Sequence, residues 1–412
     1  MSMSSLQTPI LTSESPAARR LRIVVLGYII RAPLGGLAWH HLQYVVGLAR
    51  LGHDVLFIED SDDYPSCVHL DHDVNDDPSE GLAFAANAFE RLGVAGRFAY
   101  YDAPQQEWLG PAACLAREFC ADAQVVLNIS GINPVRPWWR DVPIRILIDT
   151  DPAFLQIRHL ESEQARALAR AHNAFFTFGE KFADRDCSIP DDGFPWRPTR
   201  QPVVLDAWPV TRPSPDLPFT TVMQWDSYES LDYHGRQYGM KSASFRQFVE
   251  LPRRCDIPLL LGIGGNSHSV HNNLEARGWL VRNAIEFTRD PWQYQHFIRE
   301  SAGEFSVAKH GYVVSNSGWF SERSANYLAS GRPVILQDTG FSDVLPTGEG
   351  LLAFTTPQQA VQCLERVRKD LDRHSSAARA IAAEYFDSNR VLLDLLVQSD
   401  ALAMSCADLE RN

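Results

Sequence analysis

The chain has 412 residues, 45% of them hydrophobic and 22% charged, with a formal net charge of −13. That length exceeds one ordinary core and fits two domains plus tails, and the composition is globular rather than disordered or fibrous. The acidic balance argues against a nucleic-acid partner and against adsorption on anionic membranes, and no apolar run reaches the roughly 18 residues of an integral membrane segment.

Residues 1–20, ending Ser15-Pro16-Ala17-Ala18-Arg19-Arg20, lack an apolar signal core and read as a flexible leader. The seven cysteines form no C-x-x-C pair, so reduced cytoplasmic thiols are expected and a zinc site is not. The first strand is Arg22 to Gly27, a short apolar run suited to a buried parallel strand. A turn with Pro33, Gly35 and Gly36 leads to a helix over about 37–51, with Ala38, Leu42, Val45, Val46 and Ala49 on its core face and Gly52 as its stop. Asp54 to Ile58 is the next strand, which completes a βαβ unit. Strands follow at 124–127, 144–148 and 174–177, with a helix over about 156–171 before the last. A doubly wound sheet results. Prolines 209, 213, 215 and 218 then break the rhythm, so 21–207 is read as a first domain and 208–218 as a linker. A second series begins at Thr220, runs through a strand at 258–263, a helix opened by Asp290-Pro291 and a strand at 333–336, and ends in helices over about 357–371 and 375–396. The second domain is placed at 219–385, with a C-terminal helix or tail over 386–412 packing back on the first.

The stretch Ser315 to Leu336 carries the chemistry. A polar loop with Ser317 and Gly318 delivers the chain to Ser321, an N-cap for a helix over 322–330, and Gly331 and Pro333 lead into a strand. Free N–H groups and the dipole at that helix start make an anion site suited to a diphosphate, with Asn326 one turn further in, where an amide reaches a ribose hydroxyl. The same residues also satisfy a capped helix that binds nothing, and both readings stay open on this pattern alone.

The helix followed by Gly331-Arg332-Pro333 and an apolar strand resembles the donor-nucleotide segment of GT-B glycosyltransferases, acidic-Ala-x-Ala-x-Gly-x-Pro-Val. In the first half, Gly35-Gly36, His40 on the following helix and Leu51-Gly52-His53-Asp54-Val55 resemble the opening of the same superfamily. The resemblance implies an α/β chain of two Rossmann-like doubly wound domains facing a cleft, with the acceptor on the first and a nucleotide-sugar donor on the second. The nucleotide sugar is then a co-substrate, and no cofactor is implied. It also implies a functional histidine, His40, as base or as sugar contact, with His41 in reserve because the glycine turn leaves the helix phase open. Many retaining relatives carry two glutamates separated by seven residues in the donor segment; Gly318 and Asn326 stand there instead. Trp319 and Phe320 suggest an apolar wall near the donor sugar.

Other residues have two readings each. Gly264, after a strand, lets backbone approach a diphosphate or makes a tight turn. Lys309 and Arg323 are the cations at hand for phosphate charge. Asp338 contacts sugar hydroxyls or caps the next helix. Asp149 and Asp151 form an Asp-x-Asp; a metal is not expected there, and Asp151 is a helix cap or a cleft residue meeting the acceptor. Glu59 to Asp63 and the His69–Asp73 cluster read as solvated loop. Trp138, Trp139, Trp196 and Trp208 stack an acceptor or pack the core. The expectation is metal-independent glycosyl transfer to a small-molecule or glycan acceptor, the alternatives being a sugar-nucleotide epimerase and a non-catalytic binding protein.

Overall fold

Apolar runs closed by glycine or polar turns become the strands of two sheets in the computed structural model, which describes residues 20–62, 67–68, 74–265 and 268–403. In the first sheet the strands are β1 (Arg22–Leu26), β2 (Asp54–Asp60), β3 (Phe98–Asp102), β4 (Glu107–Leu109), β5 (Val125–Ile129), β6 (Ile144–Asp149), β7 (Ala174–Thr177) and β8 (Arg197–Pro198). They lie in the order β8-β7-β6-β5-β1-β2-β3-β4, all parallel except β4. The second sheet holds β9 (Phe219–Gln224), β10 (Leu259–Gly264), β11 (Leu280–Asn283), β12 (Gly303–Ser306), β13 (Val334–Gln337) and β14 (Leu351–Phe354), wholly parallel in the order β11-β10-β9-β12-β13-β14. Both sheets are buried on two faces, which is why their strands read as unbroken apolar runs: Ile23 and Val25 enter one core, Val24 and Leu26 another.

In each sheet the winding reverses beside the first strand, between β1 and β5 and between β9 and β12. Loops beyond the carboxyl ends at such a reversal part and leave a crevice. The two crevices face each other.

Helix Gly35–Arg50 joins the domains. Gly35 allows this, because a Cβ there would stand 2.3 Å from the Asp290 carbonyl oxygen of the second domain. The predicted 156–171 helix is two, Phe154–Glu161 and Glu163–Arg170, since Ser162 between them caps the second through Ala165 N at 3.3 Å. Likewise the 375–396 helix divides into Leu371–Tyr385 and Ser388–Gln398, where Asp387 accepts from Asn389 N at 2.9 Å. The last helix crosses back to the first domain and buries Leu392, Leu395 and Leu396.

The acidic stretch after β2 is a correction. Glu59, Asp60 and Ser61 are buried, not solvated. Glu59 accepts from the backbone N–H groups of Ile29, Ile30 and Arg31 at 2.5, 2.7 and 2.8 Å, which holds the turn between β1 and Gly35. Asp60 takes two hydrogen bonds from Arg136, both at 2.9 Å. Asp63 and His69–Asp73 lie outside the described residues.

Candidate functional site

A cleft of about 790 Å³ opens between the two crevices, a size suited to a nucleotide sugar. From the first domain it receives Tyr28 beyond β1, Gly36 and His40, Ser130 beyond β5, and Asp149 to Asp151 beyond β6. From the second it receives Gln224 and Tyr228 beyond β9, Gly264 at the end of β10, Asn283 at the end of β11, and Lys309 beyond β12. Trp319, Ser321, Glu322 and Arg323 complete the wall.

Positive charge gathers on the second domain. Ser321 caps helix Glu322–Ala329 through Arg323 N at 3.2 Å, so the helix start is presented to the cleft. Arg323 is buried and fixed from behind: Nε meets Glu304 Oε1 at 2.6 Å, Nη2 meets Ser306 Oγ at 2.7 Å, and Nη1 meets the Val222 carbonyl at 3.0 Å. Burial alone would lower its pKa, but the Glu304 carboxylate outweighs that and raises it. Lys241 also lines the cleft, 8% exposed, with no hydrogen bond or ion pair among the described residues. Burial, and then the nearby Arg323 charge, push its ammonium well below the ordinary lysine value.

Sequence reasoning passed over Lys241, yet a signal existed. The chain has four lysines (181, 241, 309 and 369) among 38 basic residues. Lys181 and Lys241 are buried and Lys309 lines the cleft, so three of the four lysines hold interior or cleft positions.

Asp151 is a cross-domain pin. Its carboxylate accepts from Lys309 Nζ at 2.9 Å and from the hydroxyls of Tyr228 and Tyr312, all on the second domain. Burial would raise its pKa; the Lys309 charge and the two hydroxyls overcome it and hold the carboxyl below its usual value. Asp149 behind it accepts from Gln156 at 2.9 Å, Thr177 at 2.7 Å and Asp151 N at 2.8 Å, while burial raises it to about 6. Asp149 and Asp151 are thus spent on protein donors, and among the described residues no group of three or more His, Cys, Asp or Glu is placed to hold a metal ion.

His40 lines the cleft and His41 does not. His41 packs under the strand-end turn, its ring 2.1 Å from where a Cβ on Gly27 would stand, and Nδ1 meets the Leu37 carbonyl at 3.0 Å. Burial lowers His40 to about 4 and His41 to about 3, so both are neutral at pH 7.

Several donor-segment residues face elsewhere. Asn326 is fully buried and accepts from Gln43 Nε2 at 3.1 Å, so its amide joins the domains rather than meeting a ribose. Phe320 stacks on Phe386 at 5.2 Å in the core beneath the tail. Ser317 is buried and holds Trp319 N at 3.2 Å, while Gly318, at φ +72°, faces Lys181. Asp338 caps the next turn through Gly340 N at 2.9 Å and Ser342 Oγ at 2.6 Å. Trp319 does form a cleft wall, stacked on Tyr312 at 4.2 Å and bonded to the Thr150 carbonyl at 3.2 Å. Trp139, Trp196 and Trp208 are core residues, and Trp138 packs on Tyr101 and Trp108.

Two Rossmann-like domains that face one cleft with their strand carboxyl ends define the GT-B fold, and this chain has it. No protein-family model and no curated protein matches the sequence. Solved structures do match. An alpha-glucosyltransferase in complex with UDP-glucose and abasic-site DNA has a TM-score of 0.59 at 9% identity, over 94% of this chain and 100% of that one. AviGT4, a glycosyltransferase involved in avilamycin A biosynthesis, has 0.52 at 14%, over 93% and 99%. Anabaena HepE, in complex with UDP and glucose, has 0.53 at 12%, over 92% and 100%. Among the described residues no helix is long and apolar enough to cross a membrane.

Proposed function

We propose that this cleft transfers a sugar from a nucleoside diphosphate, UDP in the first instance, to a hydroxyl of a small-molecule or glycan acceptor, without a metal. The observation that carries the reading is Lys241, a buried lysine with no hydrogen bond or ion pair among the described residues, beside Arg323 and a helix start that face the same cleft. An isolated buried ammonium costs several kcal/mol unless an anion arrives to pair with it. A diphosphate is that anion, and these groups then stabilise the charge that builds on it as the glycosidic bond breaks. UDP is chosen because five of the matching solved structures, four of them of the same alpha-glucosyltransferase, hold UDP or UDP-glucose.

With the diphosphate there, the sugar extends past Trp319 toward His40, and the acceptor enters over Tyr28, Ser130 and Arg158. His40 is a neutral hydrogen-bond partner for a sugar hydroxyl, and Asp151 holds the domains together rather than abstracting a proton. The alpha-glucosyltransferase is bound to DNA in four of the matching solved structures. The −13 charge of this chain favours an acceptor other than nucleic acid.

Lys241→Met separates the function of the residue from its stability. The variant is expected to melt at or above the wild-type temperature, since it removes a buried amine that has no partner among the described residues. It is expected to bind UDP about 10- to 100-fold more weakly by calorimetry, the range of a charge-assisted hydrogen bond. UDP release from UDP-glucose in the presence of acceptor is expected to survive EDTA. A thermal-shift screen in which UDP, GDP, ADP and dTDP all leave the melting temperature unmoved sinks the donor site. Activity lost to EDTA and restored by magnesium or manganese sinks the metal-free mechanism.

A further inference from the structure

We infer that Glu322 is the carboxylate that reads the donor sugar, admitting a neutral hexose and rejecting a uronic acid. The inference rests on the donor site proposed above. Three carboxylates line the cleft: Asp149, Asp151 and Glu322. The first two have spent their oxygens on Gln156, Thr177, Lys309, Tyr228 and Tyr312. Glu322 has no hydrogen bond or ion pair among the described residues, and it is only partly buried. Its acceptors are free for a ligand.

Its position sets which part of the ligand it meets. Glu322 is the first residue of helix Glu322–Ala329, directly after the cap Ser321, so its side chain leaves from the place where the diphosphate binds. It shares the cleft wall with Lys241 and Arg323 of the second domain and with Tyr28 and His40 of the first. A carboxylate at the helix start, in a cleft walled by both domains, stands where the sugar would pass from one domain toward the other.

The donor segment lacks carboxylates at Gly318 and Asn326, and neither position reaches the cleft: Gly318 faces Lys181 and Asn326 is held by Gln43. Glu322 supplies from the intervening turn the acidic contact those positions lack. An ionised carboxylate is acceptor-only, so it complements vicinal hydroxyls and repels a second carboxylate.

The test uses the full chain with UDP, UDP-glucose and UDP-glucuronate, comparing wild type with Glu322→Gln by calorimetry. The substitution keeps the length of the side chain and breaks no hydrogen bond, so melting temperature serves as the control for folding. Wild type is expected to bind UDP-glucose at least tenfold more tightly than UDP-glucuronate, as like-charge rejection predicts. Glu322→Gln is expected to weaken UDP-glucose about tenfold relative to UDP and to close most of the gap to UDP-glucuronate. An unchanged ratio of UDP-glucose to UDP affinity, or an undiminished preference over UDP-glucuronate, overturns the role of Glu322. A wild-type protein that binds none of the three overturns the donor reading itself, a different failure.

Discussion

His40 shows how burial sets the chemistry of a side chain. Its ring lies against His41, Tyr44 and Phe178, and with its pKa lowered to about 4 it is neutral throughout the physiological range. The same shift makes it a weaker proton acceptor than free histidine, which counts against the role of base and for that of hydrogen-bond partner. His40→Ala is therefore expected to raise the KM for UDP-glucose or for acceptor about tenfold while kcat falls less than tenfold. A kcat loss of a hundredfold or more at unchanged KM would make His40 the base. The position of His40 was legible because two glycines and a following helix start beyond a strand end. The positions of Asn326, Phe320 and Asp338 were not. Sequence placed them on the right segment, but which way a residue on a short helix or loop points depends on what packs against it. Gln43 claims Asn326, Phe386 claims Phe320 and Ser342 claims Asp338. Glu322, between two residues that were singled out, was hidden by the same ambiguity.

The unit that matters most among the elements is helix Gly35–Arg50, packed on one side by Ser388–Gln398 and on another by Pro291–Arg299. Gln43 on it accepts from Val204 N and Trp208 Nε1, both at 3.0 Å, and donates to Asn326, so linker and both domains meet at one amide. The tail helix sits close because Gly47 has no side chain: a Cβ there would be 2.5 Å from Leu392 Cδ1 and 3.1 Å from Ser388 Cβ. Gly47→Val must push that helix away and uncover part of Leu392. A loss of about 2–4 kcal/mol is expected in urea unfolding, the combined scale of overpacking and lost burial, and Gly47→Ala should cost less. Equal stability of Gly47→Val and wild type would mean that the tail helix is not seated on Gly47. Element type was readable where strands are buried on both faces, since Val24-Val25-Leu26 and Val334-Ile335-Leu336 admit little else. The breaks at Ser162 and Asp387 were missed because helical periodicity runs on across each of them. The capping serines and aspartates that mark them are equally common on helix surfaces.

Across the whole molecule, buried neutral histidines tie stability to pH. His40, His41 and His172 are lowered to about 4, 3 and 4, each chiefly by burial. His172, remote from the cleft lining, shows why charging is resisted. Its Nδ1 meets the Leu168 carbonyl at 2.9 Å and its Nε2 faces Asn128 Nδ2 at 3.3 Å, so a proton on Nε2 would set donor against donor. In all three the folded pKa lies below the unfolded value, so the unfolded chain takes up protons first as pH falls below about 6.5. Stability is therefore lost on acidification through that value and continues to fall toward pH 4. Asp149 works in the opposite sense: raised to about 6, it binds its proton first in the folded state and offsets part of the loss between about pH 6 and 4. Burial also lowers His53, His310 and His374 and raises Glu59 and Glu180, so lowered histidines outnumber raised carboxylates six to three and a net loss remains, about 2–3 kcal/mol by pH 4.5 for each of His40, His41 and His172. Urea unfolding at pH 7, 6, 5 and 4.5 is expected to show stability falling on acidification, and His172→Gln to reduce the slope between pH 6 and 5 by about one proton. The slope does not depend on how much stability the substitution itself removes, so even a weakened variant tests the linkage. Stability that stays level from pH 6.5 to 4.5 would mean that these imidazoles take up protons in the folded state, and that the cleft around His40 is open to charge rather than closed to it.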